Sequence, residues 1–408
     1  MYVNLHPQYS ESAAAKEAAK LVQSCVHCGF CNATCPTYQD VFDERDGPRG
    51  RIYLVKNMLE SGQPNDVARK HLDRCLTCRS CETTCPSGVK YGRLVDIGRE
   101  IVDGTGDRPF LQRLVRRMLR WVFPYSRRIG VLLGIGRFFA PILPQSLRRN
   151  IPPRQAVGDE PAASPAAARK MIVLGGCVQS AATPRTNSAA CRVLHRLGID
   201  LVEANEAGCC GAVSYHLGAH DEGLEFTRRN IDAWWPLVED GAEAIITTAS
   251  GCGVMVKDYG ELLKNDPVYA AKAARVGDLA KDLCEVFDDE DLRVFAEEAD
   301  KSRTAVHCPC TLTHGQNLGG VLESVLGKVG IPLSKTKENH LCCGSAGTYS
   351  LLQPDMSERL LERKLAALLG EDPEQIVTAN IGCQMHLGSR STVPVKHWIE
   401  LLDVRESS

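Results

Sequence analysis

The sequence predicts an α+β multidomain protein, with a mostly helical N-terminal unit followed by an α/β unit containing an internal repeat. Three observations predict it. Eight cysteines fall in two runs of identical spacing between residues 25 and 86. From residue 171 onward, short β-type apolar stretches alternate with helical patterns. In that second half the cysteines recur twice in the order single, tandem pair, single.

The first run is Cys25, Cys28, Cys31 and Cys35 before Pro36; the second is Cys75, Cys78, Cys81 and Cys85 before Pro86. Both read C-x-x-C-x-x-C-x-x-x-C-P, the spacing of two-cluster bacterial ferredoxins. Three thiolates two residues apart wrap one iron–sulfur cube, and the fourth reaches the cube of the other run. The expected ligand sets are therefore crossed: Cys25, Cys28, Cys31 and Cys85 for one [4Fe–4S] cluster, Cys75, Cys78, Cys81 and Cys35 for the other. Structural zinc prefers two separated ligand pairs, which this spacing does not provide. His27 is a spacer, and Arg79 reads as a surface residue more than as a charge that tunes a cluster.

The chain has 408 residues, a net charge of −2 and 19 cysteines. Near-neutral charge offers nothing for nucleic acid. The first twenty residues lack the basic and apolar regions of a secretory signal, so the expected setting is a reducing cytoplasm where thiols serve metals. The apolar stretch 129–143 is broken by Arg137 and Pro141 and is too short to span a bilayer.

The elements follow in order. Residues 1–105 form the dicluster unit, with a helix capped by Ser10 running to Val22, a turn at Asp46-Gly47-Pro48-Arg49-Gly50, a helix from Arg51 to Glu60 and another from Leu94 to Val102. Residues 106–150 make a basic, apolar helical connector. Arg108, Arg113, Arg116, Arg117, Arg120, Arg127, Arg128, Arg137, Arg148 and Arg149 interleave there with Leu111, Leu114, Trp121, Phe123 and Phe138. Docking on protein is the favoured reading and contact with anionic lipid the alternative. Residues 151–169 are a Pro/Ala-rich linker. Residues 170–300 and 301–408 are the two repeats. The first places Cys177, Cys209, Cys210 and Cys252 at strand ends and loops, the second Cys308, Cys342, Cys343 and Cys383. In open α/β units, such strand ends are where ligands bind. Gly134 and Gly136 lack the third glycine of a dinucleotide fingerprint, so neither FAD nor NAD is expected on this chain. Cys191, Cys284, Trp234 and Trp235 read as core or interface residues, and Cys310 as a spare thiol beside the second site.

The two segments Cys209-Cys210-Gly211 and Cys342-Cys343-Gly344, joined to the dicluster runs, resemble the CCG-domain iron–sulfur proteins. These include heterodisulfide reductase, glycerol-3-phosphate dehydrogenase and lactate-utilisation subunits. The stretches around Asp46–Leu54, His71–Cys78, Ala204–Val213, Asn230–Pro236, Leu341–Tyr349 and Val377–Gln384 extend the resemblance over nearly the whole chain to the iron–sulfur subunits of glycolate oxidases. The resemblance implies an electron-transfer subunit without a catalytic residue of its own. A flavin-bearing partner would oxidise glycolate to glyoxylate, and electrons would leave towards a membrane quinone, with the chain peripheral on the cytoplasmic face of the inner membrane. Lactate as substrate, or heterodisulfide-type thiol chemistry, are the alternatives. The heterodisulfide relatives carry a fifth cysteine per copy; here Met255 and His386 stand at those positions, which argues against that chemistry. Four thiolates per copy can still hold an iron–sulfur cluster or zinc, the second copy being the favoured site and His386 or His307 an added nitrogen donor. The competing reading is a vestigial site whose thiols are buried as small apolar side chains.

Overall fold

The computed structural model describes residues 1–104, 108–156 and 169–403; most of the expected linker lies outside the described residues. The N-terminal unit packs the helices Ala13–Gln23, Pro48–Ser61, Asp66–Asp73 and Tyr91–Gly104 around one apolar core. Its first helix starts later than expected: the Ser12 hydroxyl, not Ser10, accepts the Ala15 N–H as N-cap, because Pro7–Tyr9 form a separate 3₁₀ turn. The helix at Pro48 begins three residues before the expected Arg51, proline being suited to a first helical turn. The connector folds as two helices, Phe110–Val122 and Ser126–Phe139.

The second half holds two four-stranded parallel sheets. The first contains β1 (Arg169–Leu174), β2 (Ile199–Glu203), β3 (Ile245–Thr247) and β4 (Ala280–Asp282) in the order β2-β1-β3-β4. The second contains β5 (Thr304–His307), β6 (Leu333–Ser334), β7 (Gln375–Thr378) and β8 (Val395–His397) in the order β6-β5-β7-β8. The strands bury nearly every residue in the middle of each sheet, as parallel sheets covered on both faces require. Their registers also match. Leu174 pairs with Thr247 across β1 and β3, and His307 with Thr378 across β5 and β7.

The two sheets share a core. Val193, Leu283 and Phe287 from the first copy meet Val306, Leu322 and Trp398 from the second. In each sheet the chain order reverses between the two central strands, and such a switch point opens a crevice beyond the strand ends. Cysteines following those central strands converge there.

Candidate functional site

The two cysteine runs repeat in backbone as well as in sequence. His27 and Thr77 hold φ of 60° and 54°, and two residues later Gly29 and Arg79 hold 88° and 58°. Left-handed residues curl each loop tightly, at a cost of about 1–2 kcal/mol where the residue is not glycine. A glycine at 29 also admits the Arg49 guanidinium, which an added Cβ would meet at 2.6 Å.

Two cavities lie inside these loops. Cys25, Cys28, Cys31 and Cys85 line one, with Cys81 at its edge. Cys35, Cys75, Cys78 and Cys81 line the other. Tyr91 walls both cavities, and its hydroxyl donates to Cys75 Sγ at 3.9 Å. The thiols act on one another in the same grouping. Burial, then the charge of Cys25, with Cys85 and Cys28 behind it, pushes Cys31 up to about 11. Burial, then Cys78, Cys75 and Cys35, raises Cys81. All nineteen cysteines are free thiols. Crowded buried thiols that resist ionisation suit a bound metal centre, whose charge replaces the displaced protons.

A polar network that sequence reasoning missed supports Cys35. Its Sγ lies 3.3 Å from the Thr37 hydroxyl, which donates to the Asp46 carbonyl at 2.6 Å. The fully buried Asp46 carboxylate takes Arg74 at 2.9 Å, His71 at 2.8 Å and Arg51 at 3.4 Å. Asp43, Asp46 and His71 could geometrically hold an ion, but arginines already neutralise the Asp46 carboxylate. Burial works against the Arg51 charge, and Tyr91, Cys75, Cys35 and Asp46 more than offset it. The available signal was position: Arg51 falls on the same helical face as Val55, Met58 and Leu59. Arg79, expected at the surface, is mostly covered and pairs with Asp258 of the first copy.

In the first copy, the thiols perturb one another's ionisation in sequence, Cys177 with Cys209, Cys209 with Cys210 and Cys210 with Cys252, so the four form one group. In the second copy, Cys310 Sγ lies 3.7 Å from Cys342 Sγ, and Cys343 Sγ lies 3.3 Å from Cys383 Sγ. The matched registers explain the pattern. Counting from Leu174 and from His307, Cys177 and Cys310 occupy the same place after the strand. Cys308, named for the second set on sequence order, instead accepts the Thr313 hydroxyl at 3.1 Å and packs in the core shared by the two copies. The intervening proline of Cys308-Pro309-Cys310 hides this offset from a reading of the sequence.

Gly211 and Gly344 serve both copies alike. Each holds a left-handed φ, 93° and 89°, and a Cβ there would meet a helix carbonyl, Gly223 O at 2.6 Å or Ser357 O at 2.7 Å. This close approach seats the tandem cysteines against the helices His220–Glu239 and Pro354–Leu368.

Three features set the second copy apart. His307, fully buried with both ring nitrogens unpaired, stands where the first copy has Leu174, and its ring lies within 4.8 Å of the thiols of Cys343 and Cys383. Burial, then the Lys364 charge, keeps its imidazole neutral and so able to ligate. His386, the other expected nitrogen donor, is held by Ser357 Oγ at 3.1 Å. Lys364 is buried with its ammonium donating to the carbonyls of Glu338 and Asn339, both at 3.1 Å. The second copy also abuts the second cysteine run. Leu76 and Cys78 pack with Cys310, Cys342 and Tyr349, and the Tyr349 hydroxyl donates to the Arg74 carbonyl at 3.1 Å. In the first copy, Cys177 and Cys209 pack with Phe226 instead. Cys284 is core as expected and Cys191 is half-buried; Trp234 is buried, whereas Trp235 lies partly exposed under Lys272.

The described residues include no helix long and apolar enough to cross a membrane. Residues 21–89 match the 4Fe-4S dicluster domain family, and residues 172–257 and 304–388 each match the cysteine-rich domain family. The chain is 51% identical over 403 residues to the "Glycolate oxidase iron-sulfur subunit" of Escherichia coli (strain K12), covering 99% of this chain and 98% of that protein. It is 32% identical over 398 residues to the "Probable glycolate oxidase iron-sulfur subunit" of Bacillus subtilis (strain 168), covering 90% and 88%. "Lactate utilization protein A" of Exiguobacterium sp. (strain ATCC BAA-1283 / AT1b) is 26% identical over 237 residues, 56% of this chain and 94% of that protein. With half its residues shared along nearly its full length, this chain belongs to the family of glycolate oxidase iron–sulfur subunits.

Proposed function

We propose that this chain is the electron-transfer subunit of a glycolate dehydrogenase complex, taking electrons from a flavin subunit that oxidises glycolate and delivering them to a quinone-type acceptor at a membrane. The observation that carries the reading is the pair of adjoining thiol-lined cavities, which share Cys81 and Tyr91 as walls. Cys25, Cys28, Cys31 and Cys85 would hold one [4Fe–4S] cluster, and Cys75, Cys78, Cys81 and Cys35 the other. Bound there, such clusters supply reversible one-electron chemistry at potentials set by charge, hydrogen bonding and burial. The chain's own residues do the tuning. Arg51 puts a buried positive charge beside Cys35 and Cys75, which favours the more negative, reduced state. Tyr91 donates a hydrogen bond to Cys75, with the same sign of effect. The carboxylate of Asp46 holds Arg51 and Arg74 in place.

The second copy is the favoured further metal site, with Cys310, Cys342, Cys343 and Cys383 as its thiols; the first, with Cys177, Cys209, Cys210 and Cys252, is the weaker candidate. Met255 and His386 at the fifth-ligand positions disfavour heterodisulfide chemistry. The glycolate reading is preferred over lactate because the lactate relatives align with only part of the chain.

The test is iron and acid-labile sulfide on anaerobically purified protein, followed by addition of the flavin partner and glycolate. About eight iron atoms per chain match two clusters, and glycolate should reduce them. Cys28→Ser or Cys78→Ser should each remove one cluster and abolish acceptor reduction while flavin reduction survives. Full acceptor turnover in either variant would refute the wire.

A further inference from the structure

The helix Phe110–Val122 is amphipathic in the reverse of the usual sense, and Ser126–Phe139, which buries Ile129 and packs Leu133 on the body, leaves a second apolar flank exposed. A surface helix normally turns its apolar stripe inward and its charges to water. Here the charged flank of the first helix faces the body: Arg116 pairs with Asp73 at 2.7 Å and Arg120 with Glu222 at 3.2 Å. Arg108, just before it, also pairs with Asp73, at 2.6 Å. The apolar flank faces out. Phe110 is 72% exposed, Trp121 60% and Phe138 77%, with Leu114, Met118 and Ile135 between them also exposed. Patches this large and contiguous mark a surface that is covered in use.

Charge decides what covers it. From Arg108 to Ala156 the sequence has eleven arginines and no Asp, Glu or Lys. That is +11 in a chain whose total is −2, so the remainder carries −13. Arg113, Arg117 and Arg127 have no ion pair among the described residues, and helical spacing places them along the borders of the outward apolar face. Trp121 and Tyr125, both with the Arg128 guanidinium over their rings at 4.5 and 4.0 Å, are aromatics of the kind that settle at headgroup depth. Helices of 13 and 14 residues extend about 20 Å, too short for a bilayer core of about 30 Å, so they suit lying flat.

We infer that these two helices form a monotopic docking surface for a bilayer containing anionic phospholipid, the apolar face entering the acyl boundary and the free arginines binding phosphates. The purpose, though not the observations, rests on the reading above that the acceptor is at a membrane.

The test is flotation of the full-length protein, anaerobically purified, with vesicles of phosphatidylcholine alone or mixed with phosphatidylglycerol. The protein should float with the mixed vesicles only, and less as salt rises. The Arg113→Gln/Arg117→Gln/Arg127→Gln variant should partition about a hundredfold more weakly, at about fivefold per arginine. Trp121→Ser/Phe138→Ser should release the protein at any salt. All variants should keep the wild-type iron content, which reports folding. Failure to float, or equal partitioning of wild type and the triple arginine variant, overturns the inference. So does loss of flotation on assembly with the flavin subunit, because a protein partner then covers the face. Glycolate-dependent reduction of a soluble dye by the assembled complex is read in parallel, so that electron transfer can stand or fall separately.

Discussion

The two cysteine-rich copies have the same strand order, the same register and the same chain of four thiols, yet their surroundings differ. The first copy closes its thiols among Phe226, Met255 and Leu174, with Asn230 donating to the Cys209 carbonyl and accepting the Gly208 N–H. The second offers a buried unpaired histidine, a buried lysine and direct packing against Cys78. A repeat thus preserves the frame, which packing dictates, while the few side chains pointing into the crevice diverge. Four thiols in a row therefore do not make two equivalent sites: an unpaired buried imidazole costs stability unless something binds it.

Removing one cysteine or its near neighbour separates the copies most strongly. Cys310→Ser should strip the second copy of bound metal almost completely, whereas Cys308→Ser should leave the metal content unchanged; elemental analysis of each variant reads it. Equal losses would mean that the matched register does not govern ligation. A smaller effect is expected from His307→Leu, which gives the second copy the first copy's residue. Metal affinity there should fall about 10–100-fold, seen as faster loss to a chelator, and unchanged retention would remove His307 from the site.

The smallest effect concerns the sheet edges. Asp282 ends β4 and His397 ends β8, opposite Thr247 and Thr378, and each caps the next helix in a capping box with Glu285 or Glu400. Their titrations oppose one another. Burial raises Asp282 from 3.8 to about 6, so its share of stability is full below pH 3.8 and is lost as pH rises through 6. Burial lowers His397 from 6.5 to about 3, so its share is full above pH 6.5 and is lost as pH falls towards 3. Asp282→Asn should therefore flatten the loss of melting temperature on the neutral side, and His397→Asn the loss on the acid side. Matching pH profiles for the two variants would show that the edges are not distinct.

Much of this is legible in the order of the residues. Spacing alone marks the eight cysteines of the runs, because loop geometry around a cube is local and leaves a local signature. The internal repeat is equally visible, since strands, glycines and tandem cysteines recur in order. Partnership over distance is not. Arg79 reads as exposed until Asp258 meets it, and Cys308 reads as a member of the second thiol set until the fold places Cys310 beside Cys342. His307 looks like a flanking residue until β5 carries its ring into the crevice.

The cluster motifs, the repeat and the family are thus properties of the linear chain, since each is written in short-range spacing or in identity along its length. Which thiols share a crevice, which copy adjoins the second run, and the outward turn of the apolar faces on the arginine-rich helices emerge only on folding. These depend on contacts between residues from about thirty to nearly three hundred apart, and the hydrophobic pattern of one segment does not state which neighbour covers it.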